Sequence, residues 1–140
     1  MNRALFLALS LFMWSVAAEA AQFKVIVNRS VKADSLTRQQ VSDLFLKKTT
    51  KWPDGTAAAP VDQPDTSAVR EAFSKEILGK PVSAVKSYWN KQIFSGRDLP
   101  PLEKKTDAEV VAYVRANAGA IGYVANDTAE ADGVRTVTVH

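Results

Sequence analysis

Cysteine is absent from the 140-residue sequence, and histidine occurs once, at the last position, His140. The lack of cysteine excludes disulfides, thiol catalysis and the lipid-modified cysteine of an exported lipoprotein. One terminal histidine leaves no basis for a zinc site or a Ser-His-Asp triad. A carboxylate, lysine or serine mechanism would remain, but no spacing in the chain selects one. We therefore expect no enzyme, no catalytic residues, no metal site and no cofactor.

A strong excess of charge of one sign is also missing, since 18 basic side chains stand against 15 acidic ones, a net charge of +3. Nucleic-acid-binding proteins usually concentrate basic residues on one face, so this balance indicates no nucleic-acid partner. Three lysines, Lys47, Lys48 and Lys51, follow a predicted helix. They suit the negative end of the helix dipole as a solvated helix end, and a patch for an acidic partner is the alternative.

A hydrophobic run long enough to cross a membrane is missing as well. The uncharged stretch 4–18 is shorter than the roughly 20 apolar residues that a spanning helix needs. It follows Arg3 and precedes Ala18-Glu19-Ala20, a small-x-small pattern typical of secretory signal peptides. We predict a signal peptide at 1–20 and a mature domain at 21–140 that is periplasmic or secreted, without membrane insertion after cleavage. A retained anchor is the weaker alternative.

The chain does contain alternating β-branched runs and amphipathic segments. Strands are predicted at 23–27, in the centre of the sheet, at 59–61, at 120–124 and at 134–139, the last a candidate edge strand. Helix starts are indicated by Thr37 with Gln40, by Pro81, and by Thr106 with Glu109. One apolar stripe is expected on the third helix, formed by Val82, Val85, Trp89 and Ile93.

The stretch 60–79 reads as a strand, a polar turn and a helix. Thr66 or Ser67 is a suitable N-cap, Arg70 is expected on the polar face of the helix, and Gly79 is expected to end it. A helix that begins at the end of a strand presents unpaired N–H groups, which suit an anion or an acidic group. Asp62 and Asp65 could form a carboxylate pair for acid–base work, but such residues more often shape turns.

Together these segments predict an α/β fold with a small mixed, mostly parallel sheet and helices on both faces. Within the strand at 120–124, Gly122 indicates that another group packs closely against it. In open sheets of this kind, ligands bind outside the carboxyl ends of the strands, where helices begin. The turn at 62–67 meets that description.

The ordered set of motifs resembles one lobe of the phosphate-type periplasmic substrate-binding proteins of ABC transporters. The likeness covers nearly all of the mature chain, and the GAIGYV run at 119–124 is its most specific member. The other members are Val27-Asn28, Leu44-Phe45-Leu46-Lys47, Lys51-Trp52 and the helix that carries Phe73. The resemblance implies one lobe of a type II periplasmic binding protein.

In that family two α/β lobes close over an anion, and one lobe supplies an Arg-x-Asp-Gly-Ser-Gly-Thr-type turn. Here Asp65 and Ser67 match, while Gln63 stands in place of the arginine and Thr66 in place of a glycine. Further departures are Ala68 for the second glycine and Val69 for the threonine. Arg70, one turn into the helix, could replace the lost charge. A ligand would be enclosed by an envelope protein partner, by a homodimer, or not at all.

The leading hypothesis is therefore an exported, non-catalytic solute-binding module with a small, phosphate-like oxyanion as its partner. In this interpretation Thr66 and Ser67 donate hydrogen bonds, Arg70 supplies the counter-charge and Gln63 an amide contact. The family likeness implies that Asp65 accepts a hydrogen bond from a ligand oxygen that carries a proton, which favours a protonated oxyanion. The alternative is a cell-envelope protein-interaction or sensory accessory module that has lost ligand binding.

Overall fold

The computed structural model describes residues 22–129 and 131–140, so the predicted signal peptide lies outside the described residues. The strands are β1 (Phe23–Asn28), β2 (Ser35–Leu36), β3 (Ala59–Asp62), β4 (Leu102–Glu103), β5 (Ala120–Ala125) and β6 (Val134–Val139). The helices are α1 (Arg38–Phe45), α2 (Ala68–Phe73), which continues as a π-helical turn (Ser74–Leu78), α3 (Val82–Phe94) and α4 (Asp107–Ala116). In the described part of the chain, every helix is too short or too polar to cross a membrane.

The six strands form one sheet in the order β2-β6-β1-β5-β3-β4. Strand β1 runs antiparallel to both of its neighbours, β5 and β6, whereas the pairs β2 with β6, β3 with β5 and β3 with β4 are parallel. Five strands therefore share one direction. The prediction of a mixed, mostly parallel sheet with a central first strand is confirmed.

Alternating side chains of the central strands belong to two hydrophobic cores, one on each face of the sheet. Val25 and Val27 of β1 and Tyr123 of β5 point to the face covered by α1 and α2. Ile26 of β1 and Val124 of β5 point to the opposite face, which α4 covers. Helices therefore lie on both faces, as the sequence pattern predicts.

Local capping signals decide where the helices begin and end. The hydroxyl of Thr37 accepts from the backbone of Gln40, and the Gln40 side chain accepts from the Thr37 backbone, so the predicted capping box forms. Ser67 is the N-cap of α2. Gly79 adopts φ 65°, the left-handed conformation that ends this helical segment, as expected.

Two expectations about the fold are wrong. Strand β6 is not at the sheet edge, because β2 pairs with its outer side through Ser35 and Leu36. Ile93, expected in the buried stripe of α3, is 48% exposed, since this helix packs mainly on the π-helical turn and Ile93 lies in its last turn, at the surface. Val85 and Trp89 of the same stripe are buried.

Gly122 lies where α4 and β3 press against β5, as its position in the sequence indicates. A Cβ atom here would lie 2.8 Å from a methyl group of Val61 and 2.9 Å from one of Val110. We expect Gly122→Ala to lower the free energy of unfolding by about 1–3 kcal/mol, because the added carbon overpacks a filled core. Urea denaturation would measure this loss.

A compensating variant separates overpacking from other effects at this position. Val61→Ala alone removes two methyl groups and leaves a cavity, but in the Gly122→Ala background it makes room for the new carbon. The double variant should lose less stability than the two single variants added together. Strict additivity would contradict the steric explanation.

Candidate functional site

The turn at 62–67 leaves the carboxyl end of β3 and leads into α2. Asp62, the last residue of β3, is in register with Glu103 of β4. On the other side, Pro60 pairs with Ile121, so Asp62 lies level with Tyr123 two residues further along β5. Three neighbouring strands thus bring two carboxylates and a phenol to the start of the turn.

Asp62 is buried, and three neighbouring groups contact one of its carboxylate oxygens. Its Oδ1 accepts a hydrogen bond from the Tyr123 hydroxyl and another, at 2.9 Å, from the backbone N–H of Gln63. The Nε atom of Arg70 lies 3.7 Å from the same oxygen. Burial raises the pKa of Asp62, and the Arg70 guanidinium and the Tyr123 hydroxyl oppose that rise. Burial also raises the pKa of Tyr123, with the Asp62 charge acting in the same direction.

Gln63 joins the turn to β5 and α4. Its side-chain N–H groups donate to Asp107 Oδ1 and to the Tyr123 carbonyl, both at 2.9 Å, and its Oε1 accepts from the Ser67 hydroxyl at 2.7 Å. The residue is only 3% exposed. Its role as a ligand contact stays a prediction, and that role requires one of these hydrogen bonds to break.

The exposed residues here are Asp65 and Thr66 in the turn and Ala68 at the start of α2. Ser67 caps the helix by accepting from the Arg70 backbone N–H at 3.2 Å. Within the described residues, no acceptor is paired with the backbone N–H groups of Ala68 and Val69. These donors at the helix start remain open, as the sequence pattern indicates.

The sequence pattern predicts Arg70 on the polar face of its helix, and this prediction is wrong. The residue is buried, with its side chain 7% exposed. The reason is the carboxylates beside it, which make burial of the charge tolerable. Its Nη1 donates to the Gln63 carbonyl at 2.7 Å and to Glu103 Oε1 at 3.0 Å. Among the described residues, none accepts a hydrogen bond from Nη2.

Arg70 lies at one side of a surface pocket of about 320 Å³ between the turn and α3. The pocket is lined by Asp65, Arg70, Lys86, Trp89, Asn90, Ile93, Pro100 and Glu103. A larger depression of about 550 Å³ lies beside α4, but none of its lining side chains is buried. The buried guanidinium makes the smaller pocket the better candidate site, since size alone selects no chemistry.

Two charged residues of this pocket, Lys86 and Glu103, are missing from the sequence-based site. Lys86 donates to Asp65 Oδ2 at 2.8 Å, and this contact lowers the pKa of Asp65. In the sequence, Lys86 lies 21 residues from Asp65, and Glu103 lies 33 residues from Arg70. The register of β3 with β4 is the signal that would have located Glu103, but it becomes visible only in the folded sheet.

Asn28, at the end of β1, serves a structural purpose away from this pocket. Its amide donates to the carbonyls of Val114 and Arg115, at 2.8 and 3.0 Å, and so satisfies the last turn of α4. Its Oδ1 accepts from the backbone N–H of Ser30. This residue therefore ties β1 to α4 and shapes the turn that follows.

Comparison with known proteins adds the family. A protein-family sequence model described as the PBP superfamily domain matches residues 13–139 of the chain. No curated protein sequence matches it. Several solved structures do resemble this chain, and they share its fold.

A Clostridium perfringens protein described as a phosphate ABC transporter substrate-binding protein, solved with bound phosphate, superposes with a TM-score of 0.67 at 23% identity. The match covers 87% of this chain and 47% of that one. An ABC-type phosphate transport receptor from Vibrio cholerae has a TM-score of 0.66 at 16% identity, over 85% of this chain and 46% of that one. PstS from Borrelia burgdorferi has a TM-score of 0.68 at 12% identity, over 86% of this chain and 47% of that one.

The chain thus spans less than half the length of these solved structures. At these identities the likeness establishes the fold, which is that of one lobe of a periplasmic binding protein. The family follows from the sequence model, which extends over nearly the whole chain: the protein belongs to the PBP superfamily domain family.

Proposed function

We propose that the chain is an exported, non-catalytic solute-binding module that holds a small, phosphate-like oxyanion beside the turn at 62–67. The family is one of solute-binding proteins, and the solved relatives are described as phosphate receptors. The observation that carries the proposal is the guanidinium of Arg70, which is buried next to an open pocket with Nη2 unpaired among the described residues.

The surroundings of Arg70 support an anion site of a particular kind. Lys86 adds a second cation to the pocket wall, and Asn90 adds an amide. In the adjoining turn Thr66 has an exposed hydroxyl group and the N–H groups of the first two helical residues are open, whereas the Ser67 hydroxyl already donates to Gln63. Such donors favour an anion at a helix start.

Asp65, which also lines the pocket, sets a condition on the ligand. A carboxylate accepts but does not donate, so beside a bound anion it favours a ligand oxygen that carries a proton. A ligand with two or more negative charges would be repelled more strongly than one with a single charge. The proposal therefore includes a singly charged oxyanion rather than a multiply charged one.

An anion panel tested by thermal unfolding addresses the proposal directly. We expect phosphate to raise the melting temperature by several degrees, because ligand at 100 times its Kd stabilises the folded state by about 2.7 kcal/mol. Lys86→Gln should reduce the shift, since it removes a cation from the pocket. Lys75→Gln is the matched control, because Lys75 pairs with Glu71 on the exposed side of the helix. Absence of any shift with phosphate, sulfate or carboxylates would contradict the proposal.

Exposed apolar side chains favour the second candidate, an envelope protein-interaction or sensory module. Phe94 is 95% exposed at the end of α3, and Leu99 and Leu102 are 64% and 52% exposed in the segment that follows. Such residues are typical of interaction surfaces when they lie together. Analytical ultracentrifugation would separate a homodimer from a monomer that needs another partner, and Phe94→Asp should abolish either association.

A further inference from the structure

We propose that the ligand of the Arg70 pocket is a singly charged carboxylate, which binds by displacing the carboxylate of Glu103 from the guanidinium. This inference rests on the proposed function, since it assumes that the pocket receives a small anion. It adds the chemical class of the ligand and identifies a residue of the chain that competes with it.

The hydrogen bonds of Arg70 leave half of a carboxylate site unfilled. A guanidinium presents its terminal nitrogens as a fork that matches the two oxygens of a carboxylate. Glu103 uses one arm of this fork, through Nη1 at 3.0 Å, while Nη2 has no acceptor among the described residues. A free carboxylate that reaches both nitrogens would therefore make one more hydrogen bond than Glu103 makes.

Glu103 is also the carboxylate that can leave. Its side chain is 53% exposed, it lies on the two-residue edge strand β4, and its contact with Arg70 is the only side-chain hydrogen bond that the described residues give it. Asp62, in contrast, is 8% exposed and is held by Tyr123 and Gln63. Asp62 would stay in place as the counter-charge of Arg70 while the Glu103 side chain rotates into the solvent.

The charges around the pocket favour a ligand with a single negative charge. Arg70 and Lys86 already face three carboxylates, those of Asp62, Asp65 and Glu103. A monocarboxylate that replaces Glu103 leaves the number of charges at Arg70 unchanged. A phosphate dianion would add a charge close to Asp62 and Asp65, and that repulsion lowers its affinity, so only the protonated monoanion matches a carboxylate in charge.

Apart from the charged residues and the amide of Asn90, the lining of the pocket is apolar and suits a short aliphatic chain. The apolar lining residues are Trp89, Ile93 and Pro100. A volume of about 320 Å³ is at the lower end of the range for ligand pockets, so the ligand should be small. Each methylene that becomes buried should tighten binding by about fourfold.

Titration calorimetry on the full chain tests the inference, with acetate, isobutyrate and inorganic phosphate as probes at constant ionic strength. We expect isobutyrate to bind several-fold more tightly than acetate, and both to bind more tightly than phosphate. Glu103→Gln should increase the affinity for both carboxylates by about tenfold, because the competing charge is removed while the size is kept. Glu71→Gln is the matched control, since it makes the same charge change on the exposed side of α2 and should alter affinity less than twofold.

The outcomes are distinguishable. If the wild-type chain binds phosphate most tightly and Glu103→Gln changes nothing, the proposed function stands and this inference is overturned. An equal gain in Glu103→Gln and Glu71→Gln would show a general charge effect and would also overturn it. If no probe binds to either form, the proposed function and the inference fall together. The order of affinities in the wild-type chain decides the ligand class even if Glu103→Gln does not fold.

Discussion

Replacing Arg70 with alanine is expected to lower the free energy of unfolding by about 3–5 kcal/mol, because it leaves the buried carboxylate of Asp62 without a counter-charge. Arg70 also donates to the Gln63 carbonyl, so the turn loses a hydrogen bond inside the protein. Urea denaturation followed by circular dichroism measures the loss. The variant is therefore a poor test of ligand binding, since it damages the fold that holds the pocket.

Two further variants show whether the buried pair of Arg70 and Asp62 is responsible for the loss of stability. Arg38→Ala removes an exposed arginine that lies 3.7 Å from Glu76, and it should cost less than about 1 kcal/mol. Arg70→Met combined with Asp62→Asn removes both buried charges and should recover much of the stability lost in Arg70→Ala. A loss in Arg70→Ala no greater than that in Arg38→Ala would contradict a structural role for the guanidinium.

The second large effect is expected at Phe73, the last residue of α2, which is 1% exposed. Its ring stacks on Tyr123 with centroids 3.9 Å apart, lies 4.7 Å from the ring of Phe45, and meets Phe23 edge-on at 5.6 Å. Phe73→Ala should cost about 3–5 kcal/mol, because it opens a cavity at the centre of this aromatic cluster. Chemical denaturation would give the value.

Phe94→Ala is the matched control for this experiment. The same atoms are removed, but Phe94 is 95% exposed and makes none of these ring contacts within the described residues. Its stability should change by no more than about 0.5 kcal/mol. Equal losses at the two positions would mean that the aromatic cluster contributes little to the fold.

Local chemistry made a large part of the fold predictable. The helix starts at Thr37 and Ser67 and the left-handed stop at Gly79 depend on one or two neighbouring residues, so the sequence displays them directly. Gly122 was informative for a different reason, since a missing side chain in a buried strand indicates a close neighbour. The helix-capping signals do not depend on the rest of the fold.

Interactions between distant segments were not predictable in the same way. Strands β2 and β4 contain two residues each, too few to show a pattern, yet β2 covers the outer side of β6 and β4 brings Glu103 to Arg70. Ile93 follows the apolar period of its helix but is 48% exposed, because too little of the fold packs on the end of that helix to cover it. Pairing that is decided by tertiary contacts leaves little trace in a short segment.

The same distinction applies to the candidate site. Asp65 and Arg70 are five residues apart, and both line the pocket beside the predicted turn. The burial of Arg70 could not be anticipated, because an arginine near a helix start is normally solvated and its two carboxylate neighbours lie on different strands. Lys86 belongs to another helix altogether. The turn was therefore visible in the sequence, whereas the charge balance around it was not.

Strand β1 is synthesised before the other described strands, but its partners β5 and β6 are synthesised last. Val25 lies opposite Tyr123 on one side and Val137 on the other. These pairs close loops of roughly 100 residues, and such a high contact order slows folding. On the ribosome the middle of the sheet cannot assemble until the C-terminal strands have left the exit tunnel. The central strands of the sheet therefore pair only after most of the described chain has been synthesised, and β1 stays without its strand partners until then.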